Sequence, residues 1–171
     1  MLRFLPETPD DFDEVEMLLD LAFAPGRGAL SSYQLRDGVD PIPELCRIAR
    51  DEWNAVAGCI RYWPVLIGDA GAPALLLGPV AVHPTRQGEG IGARLMAETI
   101  ADAERLGWSR ILLVGDEPYY ARFGFSHAVA SNLDFPKPVS LPRLLGRALT
   151  PGAFCNVGGM VRAWNSDQTN Q

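Results

Sequence analysis

The sequence predicts a single α/β domain on a mixed, mostly antiparallel sheet of roughly six to seven strands, a size normal for one domain. Three observations carry this. Consecutive apolar runs joined by tight turn-like segments read as an antiparallel meander. A strand, an amphipathic helix and a second buried strand then follow, which reads as a right-handed parallel crossover. The 171 residues are 47% hydrophobic and 21% charged, as expected of a globular chain with one core.

"LRFL" opens as a short strand. Helix signals follow over "TPDDFDEVEMLLDLAF": Thr8 as N-cap, Pro9 at the first position, Asp10 and Asp11 in the electropositive first turn. Phe12, Val15, Leu18, Leu19 and Ala22 share one face of it. A loop with "APGRG" and a short helix near "SSYQLRD" come next. Strands are expected at "LCRIARD", "AVAGCIRYWPVLIGD" and "PALLLGPVAV", joined by "EWN" and "GDAGAP". The third is apolar on both faces and belongs in the middle of the sheet.

The helix after "RQGEG" keeps Ile91, Leu95, Met96, Ile100, Ala103 and Leu106 on one side. Arg94, Glu98, Asp102 and Arg105 fall largely on the other, and Gly107 ends it. "RILLVGD" is a buried strand. "LPRLLGRAL" has helical spacing at Leu141, Leu144, Leu145, Ala148 and Leu149 but turn-rich neighbours, so its type stays open. "AFCNVGGMVRAW" reads as a closing strand. Residues 165–171, "NSDQTNQ", form a polar tail expected to fray, which leaves 1–164 as the domain.

A formal net charge of −6 disfavours nucleic acid as a partner, because broad binding needs a basic face. Acidic residues come too early for a signal peptide, and the longest apolar run is too short to span a bilayer. The expectation is a cytoplasmic protein with no membrane partner. Cys46, Cys59 and Cys155 show no C-x-x-C spacing and are odd in number, so they read as buried apolar thiols. With only His83 and His127 besides, no metal site is expected.

"RQGEGIGARL" places Gly88, Gly90 and Gly92 between a central strand and a helix start. There the backbone N–H groups lack helical partners and the dipole is positive, which suits an anion. Taken alone, these glycines fit either a phosphate cradle or a loop that merely needs positive φ. A dinucleotide fingerprint, G-x-G-x-x-A, also matches. It conflicts with the intervening "HPTRQ" and with the lack of further strand–helix units after Asp116. A P-loop is excluded, because no Gly-Lys-Ser/Thr follows. Pro79 cannot complete a central ladder. Gly78-Pro79 therefore suggests a bulge that splays this fourth strand from "RILLVGD", the plainer alternative being an ordinary kink at a strand end.

"VAVHPTRQGEGIGARLM" resembles the acyl-CoA signature of the GNAT N-acetyltransferase superfamily: V-x-V-x-P, then Q/R-x-x-G-x-G/A, here Gln87, Gly90 and Gly92. "YYARFGF" resembles its second hallmark, Y-x-x-x-G-F, at Tyr120, Gly124 and Phe125. One helix and one strand separate the two, and the resemblance covers about residues 55–127. It implies acetyl-CoA as co-substrate, with its pyrophosphate on the backbone of Gly88, Glu89, Gly90, Ile91, Gly92 and Ala93 beside Gln87. Arg86 either adds charge there or is simply solvated. In such proteins the splayed strand admits the pantetheine arm, which assigns backbone contacts with the acetyl group to Val80, Ala81 and Val82.

The resemblance also makes Tyr120 the general acid for the leaving thiolate, a role open to a phenol protonated at neutral pH. The alternative is a core aromatic with a satisfied hydroxyl. Tyr119 points about 100° away on a helix and becomes packing or a wall of the coenzyme site. A base is not evident. Asp116 and Glu117 lie near the splay, although Pro118 marks Asp116 as a helix N-cap. His83 is a poor candidate, and Glu44 and Arg61 have no fixed orientation. The expected activity is acetyl transfer to a primary amine, small molecule or peptide, by direct attack on the thioester. A non-catalytic acyl-CoA-binding regulator is the alternative, and transfer of a longer acyl group a third. Pairing through C-terminal strands, common in lookalike proteins, makes a homodimer a further expectation.

Overall fold

The protein is described by a computed structural model covering residues 1–23, 27 and 31–165. Most of "APGRG" and the polar tail beyond Asn165 lie outside these residues. The sheet has eight strands. These are β1 (Arg3–Pro6), β2 (Arg47–Arg50), β3 (Val56–Ile67), β4 (Ala72–Val82), β5 (Arg110–Val114), β6 (Leu133–Asp134), β7 (Leu144–Ala148) and β8 (Gly159–Ala163). The helices are α1 (Phe12–Ala22), α2 (Ser31–Gln34), α3 (Ile91–Arg105) and α4 (Glu117–Tyr120). The main path runs β1-β2-β3-β4-β5-β7, antiparallel except for the parallel β4–β5 pair, as the crossover through α3 requires. β8 returns to the far half of β3, where Val65 opposes Ala163, and also pairs with the two-residue β6.

"LPRLLGRAL" resolves as a single 3-10 turn followed by β7. Its helical spacing loses to pairing: Leu144 faces Val114, Leu145 faces Leu113, and both leucines are fully buried. Tertiary context overrides local pattern here. Gly146 lies close under the Phe154 ring, and a Cβ there would stand 3.1 Å from it, so the ring would have to shift for a larger residue.

α3 covers one face of the sheet with Ile91, Leu95, Met96, Ile100 and Ala103, packed on Ile60, Tyr62, Leu75 and Leu77. Leu106 follows the last turn and is exposed, against the expectation that it joins this face. Asp102, expected on the polar face, is buried and pairs with Arg47 and Arg105. Gly58 fixes where α3 begins: a Cβ on it would lie 2.7 Å from the Ile91 side chain. The opposite face is covered in two halves. α1 lays Val15, Leu18 and Leu19 over Ile48, Cys59 and Ala81. Leu35, Ala130, Leu133 and Phe135 cover Val65, Ile67, Ala74 and Leu76. Phe12 turns outward, with the Arg61 guanidinium 5.5 Å from its ring centre, and Ala22 is also exposed.

The α1 entry forms as the sequence predicts. The Asp11 carboxylate accepts from the Thr8 N–H at 2.8 Å and the Thr8 hydroxyl at 3.0 Å, and Pro9 starts the turn. Cys46 and Cys59 are buried, which pushes their thiols up to about 11 and about 12. Cys155 is exposed, contrary to expectation.

Candidate active site

The break in β4 falls at the Gly-Pro pair. β3 matches Ile60 to Val80 and then Tyr62 to Leu77, so Arg61 alone opposes both Gly78 and Pro79. That is a bulge. On its other edge β4 pairs with β5 only at Leu75–Ile111 and Leu76–Leu112, whereas β5 continues along β7 to Val114. From Leu77 onward the two parallel strands part.

Strand alternation decides which β4 groups face the opening. His83 donates its N–H to Ala57 of β3 at 2.8 Å. Val80 and Val82 therefore turn their N–H and C=O groups away from β3, while those of Ala81 belong to the β3 ladder. Among the three residues assigned a backbone role, Ala81 thus gives its backbone groups to β3, although it still borders the smaller cavity described below. Gln87 fixes the strand end by donating from Nε2 to the Val82 carbonyl at 3.1 Å.

α3 starts directly beyond. Gly88 and Gly90 have φ of +83° and +79°, and a Cβ on either would meet nothing within 4 Å. The two glycines take the left-handed backbone that the plainer reading requires, and they border open space. Among the described residues, no acceptor engages the N–H groups of residues 88–93, and Gly90 gives no side-chain cap. Six amides are left at the positive end of a fifteen-residue helix. Arg86, expected either at the phosphates or in solvent, instead meets Glu52 at 2.8 Å, Glu89 at 3.2 Å and Asp51 at 3.3 Å. Its guanidinium ties the loop to the β2–β3 turn.

Two cavities meet at the opening. One of about 170 Å3 lies between Val80, Val82, Gln87, Gly92 and Met96. The other, about 310 Å3, runs past Gly78, Pro79, Asp116, Arg36 and Tyr33. Val80, Tyr119 and Tyr120 border both. Asp116 caps α4 by its carbonyl, which accepts from the N–H groups of Tyr119 and Tyr120 at 3.1 and 3.0 Å. This aims Tyr120 at the β5 end of the gap. Gly115 makes room, because a Cβ there would lie 2.5 Å from the Tyr120 ring, a requirement with no signature in the sequence. Burial, and then Tyr119 and Asp116, push the Tyr120 phenol above its ordinary value. The Tyr119 hydroxyl reaches the other way, toward Gly92.

Other candidates lie elsewhere. Arg61 is held by Glu7 at 2.7 Å and Glu16 at 3.0 Å, and neither it nor Glu44 borders the cavities. His83 binds Thr85 within its own turn. Among the described residues no cluster of three His, Cys, Asp or Glu could hold a metal, and no helix is long and apolar enough to cross a membrane. Arg36, which no sequence signal singled out, stands inside the larger cavity.

Residues 43–127 match the family model for the acetyltransferase (GNAT) domain. The chain is 26% identical over 155 residues to the uncharacterized N-acetyltransferase YhbS of Escherichia coli K12, covering 91% of this chain and 92% of that protein. It is 32% identical over 101 residues to the uncharacterized N-acetyltransferase YjhQ of the same strain, covering 58% and 55% of the two. Among solved structures, E. coli YhbS in complex with CoA superposes with a TM-score of 0.80 at 24% identity, over 100% of this chain and 92% of that one. A GNAT-family acetyltransferase from Brucella melitensis in complex with acetyl-CoA gives 0.66 at 30% identity, over 88% and 90%. With these matches beside the broken fourth strand and the open helix start, this chain belongs to the GNAT superfamily of N-acetyltransferases.

Proposed function

We propose that the protein transfers an acetyl group from acetyl-CoA to a primary amine by direct attack on the thioester. The observation that carries this is the continuity between six unpaired amides at residues 88–93 and a strand gap bordered by Tyr120. The amides suit a diphosphate. The smaller cavity leads from them along β4 and suits a narrow arm, and the larger one leaves room for an acceptor. The E. coli relative is solved in complex with CoA and the Brucella relative with acetyl-CoA, which supports acetyl-CoA as the donor.

In this reading the amine nitrogen bonds to the thioester carbonyl carbon, and negative charge builds on the carbonyl oxygen. The N–H groups of Val80 and Val82, freed by the bulge, stabilise that charge without reorganising. The C–S bond then breaks, and the Tyr120 hydroxyl gives its proton to the sulfur while the amine nitrogen releases one to solvent. A buried phenol stays protonated at neutral pH, so the acid is ready when the thiolate forms. Gln87, Gly88, Glu89, Gly90, Ile91, Gly92, Ala93 and Tyr119 serve binding, and Arg86 shapes the loop from behind.

Free thiol release from acetyl-CoA in the presence of a panel of primary amines tests the proposal. Amine-dependent release that falls in Tyr120→Phe supports it. Acetyl-CoA binding with no release for any amine would instead favour the non-catalytic acyl-CoA-binding module.

A further inference from the structure

Arg36 stands apart from the other cations near the site. It follows α2 and reaches the β4 break, where its Nη2 lies 4.0 Å from the point at which a side chain on Gly78 would begin. Its guanidinium carbon sits 3.9 Å from the Tyr33 ring centre and 5.3 Å from that of Trp63. Those two aromatic faces hold the plane in place, as stacked guanidinium groups commonly are. Its Nε is buried with no hydrogen-bond partner, and among the described residues no carboxylate pairs with it. Arg27, Arg61 and Arg86 nearby each have two or more carboxylates, and Arg143, the other arginine of the larger cavity, has Asp116 at 3.3 Å.

A partly desolvated cation without a counter-ion is costly unless something else completes it. The fixed planar fork offers two parallel N–H donors, the geometry that suits a carboxylate. The cavity it faces, about 310 Å3, is at the lower end of the range for small-molecule sites. We propose, building on the acetyl-transfer reading above, that the amine acceptor carries a carboxylate and that Arg36 binds it. The rest of the acceptor spans the cavity from Arg36 to the gap at Val80 and Tyr120. Arg36 is a specificity residue in this account and takes no part in the proton transfers.

The test is a set of matched acceptors differing only at the acid: glycine and glycinamide, β-alanine and its amide, 4-aminobutyrate and its amide, and Gly-Gly and its amide. The dipeptide arm separates a peptide terminus from a free amino acid, and O-phosphoethanolamine probes another anion. Wild type should favour the acid in at least one pair by about tenfold or more in kcat/KM. Arg36→Met should level that pair, and Arg36→Lys should keep part of the preference. An unchanged acetyl-CoA-induced melting shift in both variants shows that they fold. Equal or better use of every amide, a preference that survives Arg36→Met, or faster use of the phosphate would overturn the proposal. If no amine is acetylated although acetyl-CoA binds, the acetyl-transfer reading fails by itself. The N-acetyl forms of the same pairs, titrated onto CoA-saturated protein, then decide: acid binding that depends on Arg36 supports the carboxylate subsite, and equal or no binding overturns it.

Discussion

The two principal helices begin in opposite ways. α1 is braced by the 3-10 turn that leads into it: the Asp11 carboxylate accepts from the Thr8 N–H and hydroxyl, Pro9 has no N–H to satisfy, and Arg50 neutralises Asp11 at 2.6 Å. α3 starts with a left-handed glycine, no side-chain cap and amides that no described group accepts from. Leaving a helix start open forgoes roughly 1 kcal/mol of capping. The contrast is what the proposed diphosphate site predicts: side chains brace the first start, and the second leaves its amides to a ligand.

The largest expected effect comes from making α3 resemble α1. Gly90→Asp puts a carboxylate beside the open amides, and aspartate tolerates the left-handed backbone better than most residues. Acetyl-CoA affinity, read by calorimetry, should fall by about a hundredfold or more, while the ligand-free melting temperature moves little. Retained affinity would break the comparison.

Tyr120→Phe comes next. It should lower kcat by about a hundredfold with acetyl-CoA affinity unchanged, measured by single-turnover thiol release and calorimetry. The phenol is raised by burial, and an acid is lost only as pH rises through its own pKa. The Tyr120-dependent fall in kcat should therefore lie above pH 10, the ordinary tyrosine value. A fall centred near pH 8 would assign the proton to another group.

The capped end gives the reciprocal case. Asp11→Ala should cost about 1–3 kcal/mol of unfolding free energy and leave acetyl-CoA affinity alone. Burial acts to raise the Asp11 carboxyl, but hydrogen bonds from Thr8 and Arg50 outweigh it and hold the group below its ordinary value. That stabilisation is fully present above the unfolded value of 3.8 and is lost as pH falls through the lower folded value. Wild type should thus lose stability relative to Asp11→Ala below about pH 4 in denaturant titrations.

The smallest effect belongs to Arg86. Its three carboxylates already occupy the guanidinium, so Arg86→Met should change acetyl-CoA affinity by less than about threefold. A tenfold loss would return Arg86 to the phosphates.

Both helix starts were legible in the sequence, because capping chemistry and glycine placement are local. So was the bulge, since proline removes a ladder donor wherever it stands. What escaped depends on partners remote in the chain. Arg36 acquires meaning only beside Trp63 and Gly78, and Gly115 only against the Tyr120 ring. The type of "LPRLLGRAL" stays open in the sequence because Leu141, Leu144, Leu145 and Ala148 repeat at helical spacing among turn-rich neighbours, and only the free edge of β5 makes its second half a strand. Phe12 and Leu106 kept a helical period yet sit where no layer covers them.

The central claim concerns six backbone N–H groups, and amide-resolved NMR reads them directly. Titrating acetyl-CoA into nitrogen-15-labelled protein should move the amide protons of residues 88–93 downfield, saturating together with the Tyr119 and Tyr120 amides. Saturable binding that leaves the 88–93 amides unmoved while resonances elsewhere shift would contradict the account.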